Sequence, residues 1–318
     1  MSVYTNVLPH ELDEFLKNYS LGQLQQFVGI SDGIENTNYF VTTSKGQYVL
    51  TIFEQLTSEE LSYYLELMAF FSEGGIPTAH PIPDNEGKYI RSIKNKPTAL
   101  VKRLNGASID VPNAKQCKEI GFQMAKMHTL GKKFKFSQES SRGESWRSET
   151  IELVMPKLSN YDQDLLNNEI EYLKSFTINN LPVSIIHADL FRDNALFIDD
   201  ELTGIIDFYY ACNGYAIYDL AVTVNDWCTS GDKIGDQKNL ISLLGAYQEV
   251  RTVSDEERDC WVYVLRLAAL RFWLSRLRDK YFPRSGEITH IKNPDRFKKI
   301  VEDRRNNNDE LMSIWNTV

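Results

Sequence analysis

Residues 183–208 hold the feature that most limits what this chain can fold into: two apolar runs, each followed at once by polar residues. The first run precedes His187 and Asp189, the second precedes Asp207, and Asn194 lies between them. Short apolar runs bounded by turn residues are typical of buried strands. The spacing predicts a small hairpin with Asp189 on a loop after a buried run and Asp207 at the end of the next strand.

These three polar side chains suit a narrow range of chemistry. One carboxylate can hold a hydroxyl nucleophile, while an amide carbonyl and a second carboxylate can serve as oxygen ligands of Mg²⁺, which keeps several waters when it binds phosphates. Phosphoryl transfer depends mainly on positioning and charge neutralisation. Taken singly, Asp189 could be a turn former or helix cap and Asn194 an Asx turn; taken together, the three favour a phosphoryl-transfer site.

The motif His187-Ala-Asp-Leu-Phe-Arg-Asp-Asn194, followed by Ile206-Asp-Phe208, resembles the aminoglycoside-phosphotransferase branch of the protein-kinase-like superfamily. The resemblance implies an α+β, bilobal protein-kinase-like fold. Its N-terminal lobe, residues 1–104, would be a small antiparallel sheet with a helix, and its larger, mainly helical C-terminal lobe would span residues 105–318. It also implies Asp189 as the catalytic base, Asn194 and Asp207 as ligands of Mg²⁺, and His187 as a buried scaffold residue.

Composition excludes several other classes of protein. The formal net charge of −9 argues against a nucleic-acid partner, which needs a basic surface. No apolar run approaches the roughly 20 residues of a membrane helix, and the N-terminus lacks the pattern of a signal peptide. The four cysteines are scattered without metal-like spacing, so we expect reduced thiols in the cytoplasm. We also expect small-molecule partners and no membrane partner.

The first 104 residues alternate between the strand period and the helix period. The loop 29–39 between the first two predicted strands is rich in glycine, hydroxyl and amide residues, which can donate to phosphate, although by itself it is an ordinary hairpin loop. The resemblance implies that ATP binds at Ser31, Gly33, Asn36, Thr37, Asn38, Val49, Leu100 and Lys102. The predicted elements are helices 10–19 and 57–73 and strands 24–28, 39–43, 48–53, 88–93 and 97–104.

Thr51 departs from the pattern of the superfamily. Kinases place a lysine on the third strand to grip the α and β phosphates, and this chain has Thr51 there. Glu66 stands where the resemblance puts the glutamate that pairs with that lysine, and a solvated carboxylate is an equal interpretation. Because Mg²⁺ can carry much of the charge, Thr51 does not by itself abolish catalysis.

From residue 112 onward the chain is mainly helical. Asp219 resembles the aspartate that braces the catalytic loop in this fold, and it can equally be an N-cap for a helix 220–228. His128 is predicted to be a packed core residue. Arginines recur through the apolar helix 255–279, and a buried arginine needs a partner, structural or from the substrate. The other predicted helices are 113–130, two within 149–175, 239–250 and one amphipathic helix over 294–318.

Several further segments resemble the homoserine kinases of this branch, among them 33–39, 49–51, 187–194, 225–228 and 269–276. The resemblance implies phosphorylation of L-homoserine by ATP in threonine biosynthesis. A zwitterionic acceptor needs a cation for its carboxylate and an anion for its ammonium. The candidates are Arg271 or Arg276 for the carboxylate and Asp226 for the ammonium, with a structural salt bridge as the alternative for each.

Two other functions stay open at this point. The acceptor can be another small hydroxylated molecule, such as an aminoglycoside, choline, ethanolamine, hydroxylysine or a sugar. The chain can also be a catalytically inactive, nucleotide-binding regulator, since Thr51 replaces the usual basic residue.

Overall fold

The structure, a computed structural model, describes residues 4–30, 36–176, 180–230, 233–234, 237–283 and 292–318. The chain divides into two units, with the boundary between Gly106 and Ala107. Within the described residues, no helix combines the length and the apolarity needed to cross a bilayer.

The first unit contains the predicted antiparallel sheet. Its five strands lie in the order β1-β2-β3-β5-β4, and every neighbouring pair is antiparallel. This arrangement confirms a small antiparallel sheet accompanied by helices in the N-terminal part. The elements are α1 Pro9–Leu16, β1 Leu24–Gly29, β2 Thr37–Thr43, β3 Gly46–Ile52, α2 Ser58–Glu73, β4 Arg91–Ile93 and β5 Lys96–Lys102.

Alternating burial explains why these segments form strands. Along β2 every second residue is buried, which is the period of a strand with one face on a core. That face meets α1 in a cluster that includes Leu12, Leu50 and Leu100, all of them fully buried. Between β4 and β5, Lys94 and Asn95 both have positive φ, 50° and 63°, as the tight turn of a two-residue hairpin requires.

The second unit is mainly helical and carries three short two-stranded pairs, β6 with β9, β7 with β8 and β10 with β11. Its helices are α3 Ala114–Gly131, α4 Glu144–Val154, α5 Asn160–Ser175, α6 Ala216–Trp227, α7 Gln237–Val250, α8 Asp255–Asp259, α9 Trp261–Tyr281, α10 Asp295–Asn306 and α11 Asn308–Ser313. Its strands are β6 Val183–Ile186, β7 Ala195–Ile198, β8 Glu201–Ile205, β9 Cys212–Tyr215, β10 Thr229–Ser230 and β11 Lys233–Ile234. Short 3₁₀ segments lie at Met155–Lys157, Arg192–Asn194, Phe208–Tyr210 and Ile314–Asn316.

Helix α9 is the central element of the second unit. It is buried on nearly all sides, as expected of a helix that is apolar all round. Its first arginine has the structural partner that burial demands: Arg266 donates to both carboxylate oxygens of Glu169, at 2.9 and 2.7 Å, and Glu169 is fully buried.

Three boundaries predicted from the sequence are wrong. The helix predicted over 255–279 is interrupted at Cys260 (φ −92°, ψ 8°), which separates α8 from α9. The helix predicted over 294–318 is interrupted at Asn307 (φ −115°, ψ 34°), between α10 and α11. Helix α6 begins at Ala216, so Asp219 lies inside the helix and is not its N-cap.

Candidate active site

The hairpin of β7 and β8 brings two of the three motif residues together. Asn194 directly precedes β7, and Asp207 follows β8 after one intervening residue. The N–H of Ile206 donates to the carbonyl of Asn194 at 3.0 Å, so the two strand ends are joined. Strand pairing therefore explains why residues 13 positions apart in the sequence become neighbours.

Asp189 and Asn194 are in direct contact. The side-chain amide of Asn194 donates to the carbonyl of Asp189 at 2.8 Å and to its Oδ2 at 3.3 Å. On the other carboxylate oxygen, Nη1 of Arg271 lies 3.4 Å from Oδ1. The Asp189 side chain is 19% exposed, whereas that of Arg271 is only 6% exposed. The loop thus presents a partly accessible carboxylate with a buried cation beside it.

Two residues of the motif have left-handed backbones. Ala188 has φ 63° and Asp207 has φ 64°, a conformation that costs a non-glycine residue roughly 1–2 kcal/mol. Ala188 directly precedes Asp189, and Asp207 is one of the two predicted metal ligands. Such backbone strain persists only where surrounding contacts hold it, and at Ala188 a contact of this kind comes from Asp219 on α6.

Asp219 on α6 supplies the contacts that hold the start of the loop. Its Oδ2 accepts from the backbone N–H of His187 at 2.8 Å, and its Oδ1 accepts from that of Ala188 at 2.7 Å. His128 bonds the same Oδ2 at 3.0 Å. Burial opposes ionisation, but the hydrogen bonds, that of His128 above all, hold the pKa of Asp219 below its usual value. The predicted bracing role of Asp219 and the core position of His128 are confirmed.

His187 links the loop to the hairpin of β7 and β8. Its Nε2–H donates to the carbonyl of Ile206 at 2.9 Å, and its Nδ1 accepts the backbone N–H of Asp189 at 3.3 Å. Its ring also contacts that of Phe208, with centroids 4.7 Å apart. Burial lowers the pKa of His187, which keeps the ring neutral and Nδ1 able to accept. The predicted buried scaffold role is confirmed.

Asp226 holds the middle of the loop. Its Oδ2 accepts from the backbone N–H of Arg192 at 2.9 Å and from its Nε at 3.0 Å. Its Oδ1 accepts from Nη2 of Arg296 on α10 at 2.7 Å. The Asp226 side chain is 3% exposed. Both oxygens of Asp226 therefore accept hydrogen bonds from guanidinium groups. The contact with the substrate ammonium stays a prediction, and it would have to share these oxygens.

One face of α6 accounts for most of the support of the loop. Besides the two aspartates, Thr223 and Trp227 both donate to the carbonyl of Leu190, at 3.4 and 3.0 Å. Positions 219, 223, 226 and 227 share one face of a helix, because residues three, four, seven and eight apart do so. Asp219 and Asp226 could be singled out in the sequence, but the sequence did not show that both contact the same loop.

Arg276 is a second buried cation near the loop, besides Arg271. It donates to the carbonyl of Asn293 at 3.0 Å, and its Cζ lies 4.5 Å from the ring centre of Phe297. Burial and the neighbouring Arg296 lower the pKa of Arg276 to about 10. Within the described residues, no carboxylate forms a direct ion pair with it. An anion in this neighbourhood would therefore be stabilised.

The donor set for a metal is small. No cluster of three or more histidine, cysteine, aspartate or glutamate side chains that could bind a metal exists in the described part of the chain. Asn194 and Asp207 would contribute one oxygen each, since the amide nitrogen of Asn194 already donates to Asp189. Few protein oxygens together with phosphates and waters are what Mg²⁺ accepts, so these residues fit that ion.

The residues predicted to bind ATP lie in the first unit, at the start of β2 and on β3 and β5. Ser31 and Gly33 fall outside the described residues. Asn36 accepts the N–H of Glu54 at 3.3 Å through its side chain. Asn38 is paired across the sheet with Thr51, whose hydroxyl donates to its Oδ1 at 2.7 Å. Thr51 thus holds the end of the loop 29–39 through a neutral hydrogen bond.

Thr37 and Leu100 are fully buried. The Thr37 hydroxyl accepts the N–H groups of Tyr4 and Thr5, at 2.9 and 3.0 Å, and donates to Glu54 at 2.7 Å. Leu100 packs in the core shared with α1. Both residues would have to become accessible before they could contact a nucleotide, and their role in ATP binding stays a prediction.

The remaining positions of this set are accessible to different degrees. Val49 is half-buried and pairs with Val101 across the sheet, while Lys102 is exposed. Glu66, on α2, is exposed, which agrees with the interpretation of a solvated carboxylate.

Sequence reasoning missed several residues around the loop. Arg192 and Arg296 meet at Asp226, and Tyr210 contacts two further arginines, Arg142 and Arg271. Arg192 and Tyr210 lie within or just after the motif and could have been singled out there. Arg142 lies in a polar, serine-rich segment, and Arg296 in a charged helix, so neither carried a signal of its own.

Comparison with known proteins points in one direction. The profile of the phosphotransferase enzyme family matches residues 26–260. The homoserine kinase of Methylobacillus flagellatus is 43% identical over 315 residues, which cover 99% of each chain. The homoserine kinase of Neisseria meningitidis serogroup B is 42% identical over 301 residues, 95% of this chain and 99% of that protein.

Solved structures agree in fold at much lower identity. An amicoumacin kinase in complex with AMP-PNP and Ca²⁺ has a TM-score of 0.70 at 15% identity, covering 96% of this chain and 94% of that one. A spectinomycin phosphotransferase in complex with ADP has a TM-score of 0.68 at 14% identity, covering 94% and 95%. These likenesses confirm the bilobal, kinase-like fold class.

Proposed function

Because the chain belongs to the phosphotransferase enzyme family, we propose that it is a homoserine kinase, which transfers the γ-phosphoryl group of ATP to the side-chain hydroxyl of L-homoserine. The product would be O-phospho-L-homoserine, an intermediate of threonine biosynthesis. The observation that carries the substrate is the identity of 43% with a homoserine kinase over 99% of both chains. No property of the described site favours another acceptor.

In this proposal Asp189 is the catalytic base. The acceptor hydroxyl lies against its carboxylate, which orients the oxygen towards the γ-phosphorus. The carboxylate takes up the hydroxyl proton as the new P–O bond forms and the bond from the γ-phosphorus to the β,γ-bridging oxygen breaks, so that ADP leaves. The 19% exposure of the Asp189 side chain permits such contact. Asn194 and Arg271 hold its two oxygens, at 3.3 and 3.4 Å, and so restrict the direction in which it accepts. Precise positioning of this kind is the main requirement of phosphoryl transfer.

We propose Asn194 and Asp207 as the protein ligands of Mg²⁺ bound with ATP. When bound, the ion neutralises phosphate charge and orients the γ-phosphoryl group. The N–H of Ile206, the residue before Asp207, donates to the carbonyl of Asn194 at 3.0 Å, which keeps the two proposed ligands close together. A kinase of the same fold was solved with AMP-PNP and Ca²⁺, which supports the use of a divalent ion together with the nucleotide.

We place ATP binding on the first unit, as the sequence predicts. Side chains of Asn38, Val49 and Lys102, together with backbone groups, are available there, and Mg²⁺ substitutes for the lysine that Thr51 replaces. The full set of proposed positions is Ser31, Gly33, Asn36, Thr37, Asn38, Val49, Leu100 and Lys102.

The acceptor is proposed to lie beside Asp189 in the second unit. Arg271 is the better candidate for its carboxylate, because Arg271 contacts the base directly. Arg276 adds a buried positive charge, which also stabilises an anion. The ammonium remains assigned to Asp226, although two arginines already occupy that carboxylate. All four cysteines are buried free thiols, so we propose a cytoplasmic enzyme.

A coupled assay of ADP release tests the function. Purified protein with Mg·ATP is offered L-homoserine, L-serine, L-threonine, hydroxylysine, choline, ethanolamine and kanamycin, and Asp189→Asn serves as the blank. We expect turnover with L-homoserine and its loss in Asp189→Asn. Turnover with a different acceptor alone would refute the substrate, and Mg·ATP binding without any turnover would support the inactive regulator.

A further inference from the structure

The segment between α3 and α4 reaches the neighbourhood of Asp189. It is fixed to β9 by two reciprocal hydrogen bonds: the N–H of Gln138 donates to Oδ1 of Asn213, and the N–H of Asn213 donates to the carbonyl of Gln138, both at 2.8 Å. The N–H of Arg142 donates to the hydroxyl of Ser140 at 3.2 Å. Arg142 is therefore carried by an anchored segment.

The guanidinium of Arg142 lies among aromatic groups. Its Nη2 donates to the hydroxyl of Tyr210 at 3.2 Å. Its Cζ is 5.2 Å from the ring centre of Tyr210 and 4.8 Å from that of Trp146. Across the described residues Arg142 forms no ion pair, although Glu139 and Glu144 lie in the same segment. A half-buried guanidinium with five donors and no carboxylate is suited to bind an anion.

Tyr210 connects this cation to the base. Its ring packs in a small cluster with Ala188, the residue before Asp189. The Cζ of Arg271 lies 5.3 Å from the centre of the same ring, and Nη1 of Arg271 is 3.4 Å from Oδ1 of Asp189. Arg142 and Arg271 therefore both contact one tyrosine, next to the carboxylate that would receive the acceptor hydroxyl.

Charge balance requires more than Arg271. That cation is already shared with Asp189, so a substrate carboxylate bound to Arg271 alone would bring two negative charges to one positive charge. Two carboxylates that share one site disfavour each other's ionised forms. A second guanidinium removes this conflict, and Arg142 is the one that faces the same tyrosine.

We propose that Arg142, together with Arg271, binds the carboxylate of the acceptor while the acceptor hydroxyl lies at Asp189. The inference rests on the proposed function and adds Arg142 as a residue that determines specificity for an amino-acid acceptor. In L-homoserine about 5 Å separate the hydroxyl oxygen from the carboxylate carbon when the chain is extended, which suits a cation next to the base.

An independent observation supports a polar ligand here. The indole Nε1 of Trp146 is buried and has no hydrogen-bond partner. Buried donors without partners are uncommon in native proteins and call for a specific explanation, such as a missing ion or water. A carboxylate held by Arg142 would bring an acceptor oxygen, directly or through water, to the neighbourhood of this donor.

The test compares L-homoserine with L-homoserine amide, which has the same shape without the negative charge. Binding of each in the presence of Mg·ADP is measured by calorimetry, together with KM and kcat for L-homoserine. For the unaltered protein we expect tighter binding of the acid. In Arg142→Ala we expect Kd and KM for L-homoserine to rise on the order of 10- to 100-fold, while the Kd of the amide changes little. In Arg142→Lys, Kd and KM for L-homoserine should lie between the values of the unaltered protein and those of Arg142→Ala.

Lys135→Ala is the matched control, because it removes a positive charge from an exposed position of the same segment. It should change neither ligand's Kd by more than about twofold. The proposal is overturned if Arg142→Ala weakens the binding of L-homoserine and of its amide equally, or if it weakens the binding of neither. If the unaltered protein neither binds nor phosphorylates L-homoserine, the proposed function fails as well. Turnover of L-homoserine with an unchanged KM in Arg142→Ala would remove only the role of Arg142.

Discussion

Asp226 offers the sharpest prediction, because two roles for it lead to opposite results. In the structure its buried carboxylate contacts Arg192, in the loop between β6 and β7, and Arg296 on α10. The alternative from the sequence is contact with the acceptor ammonium. The substitution Asp226→Asn keeps the shape and one acceptor oxygen while removing the charge that compensates both guanidinium groups.

The magnitude follows from burial. Removing one partner of a fully buried ion pair costs about 3–5 kcal/mol. The Arg192 and Arg296 side chains are 20% and 32% exposed, so solvent compensates part of their charge. We therefore expect a loss of about 2–3 kcal/mol, a fall in Tm of roughly 4–12 °C. Because Arg192 lies between Asp189 and Asn194, kcat should fall about tenfold or more, while KM for L-homoserine stays within about twofold.

Thermal unfolding and steady-state kinetics of Asp226→Asn decide between the two roles. Asp255→Asn is the control, since that side chain is 94% exposed and its substitution should alter stability by less than about 0.5 kcal/mol. An unchanged Tm and kcat with KM raised tenfold or more would refute the bracing role and support the ammonium contact.

Two further predictions concern the support of the site. In Gly121→Ala the new Cβ would lie 2.2 Å from the carbonyl oxygen of Leu243 on α7, so we expect the free energy of unfolding in urea to decrease by roughly 1–3 kcal/mol. In Gly245→Ala the new Cβ would have no atom within 4 Å, so this control should be neutral or stabilising. Equal effects of the two would contradict this close approach of α3 and α7. Burial lowers the pKa of His187 in the folded protein. As pH falls below about 6.5, the unfolded chain therefore binds a proton more readily than the folded protein does. The urea concentration at the midpoint of unfolding should thus decrease when pH is lowered from 7.5 to 5.5. In His187→Gln part of this pH dependence of the urea midpoint should be lost. A midpoint that changes with pH as steeply in the variant as in the unaltered protein would contradict the role of His187.

The two apolar runs and the polar residues that follow them could be predicted from the sequence, because local rules determine short buried strands. The prediction that these two runs form one hairpin is wrong. The run before His187 is β6, which pairs with β9, whereas the run before Asp207 is β8, which pairs with β7, and this second pairing places Asn194 beside Asp207. The interruption of helices at Cys260 and Asn307 could not be predicted in the same way. Neither residue is a strong helix breaker, and packing against the rest of the second unit decides the boundary.

The partners of the arginines depended on contacts distant in sequence. Arg266 pairs with Glu169, 97 positions away, and Arg271 with Asp189, 82 positions away. The apolar pattern of α9 showed only that such partners must exist. Arg142 is the clearest omission, because a polar segment predicts a loop but does not show which of its cations contacts Tyr210.

Phosphorus NMR of the reaction mixture tests the central claim most directly. Purified protein is incubated with Mg·ATP and L-homoserine, and ³¹P–¹H correlation identifies the group that carries the transferred phosphorus. We predict a phosphomonoester coupled to the side-chain CH₂ of homoserine, formed in step with ADP and absent with Asp189→Asn. Inorganic phosphate as the only product besides ADP, or a phosphomonoester that persists undiminished in Asp189→Asn, would contradict this prediction.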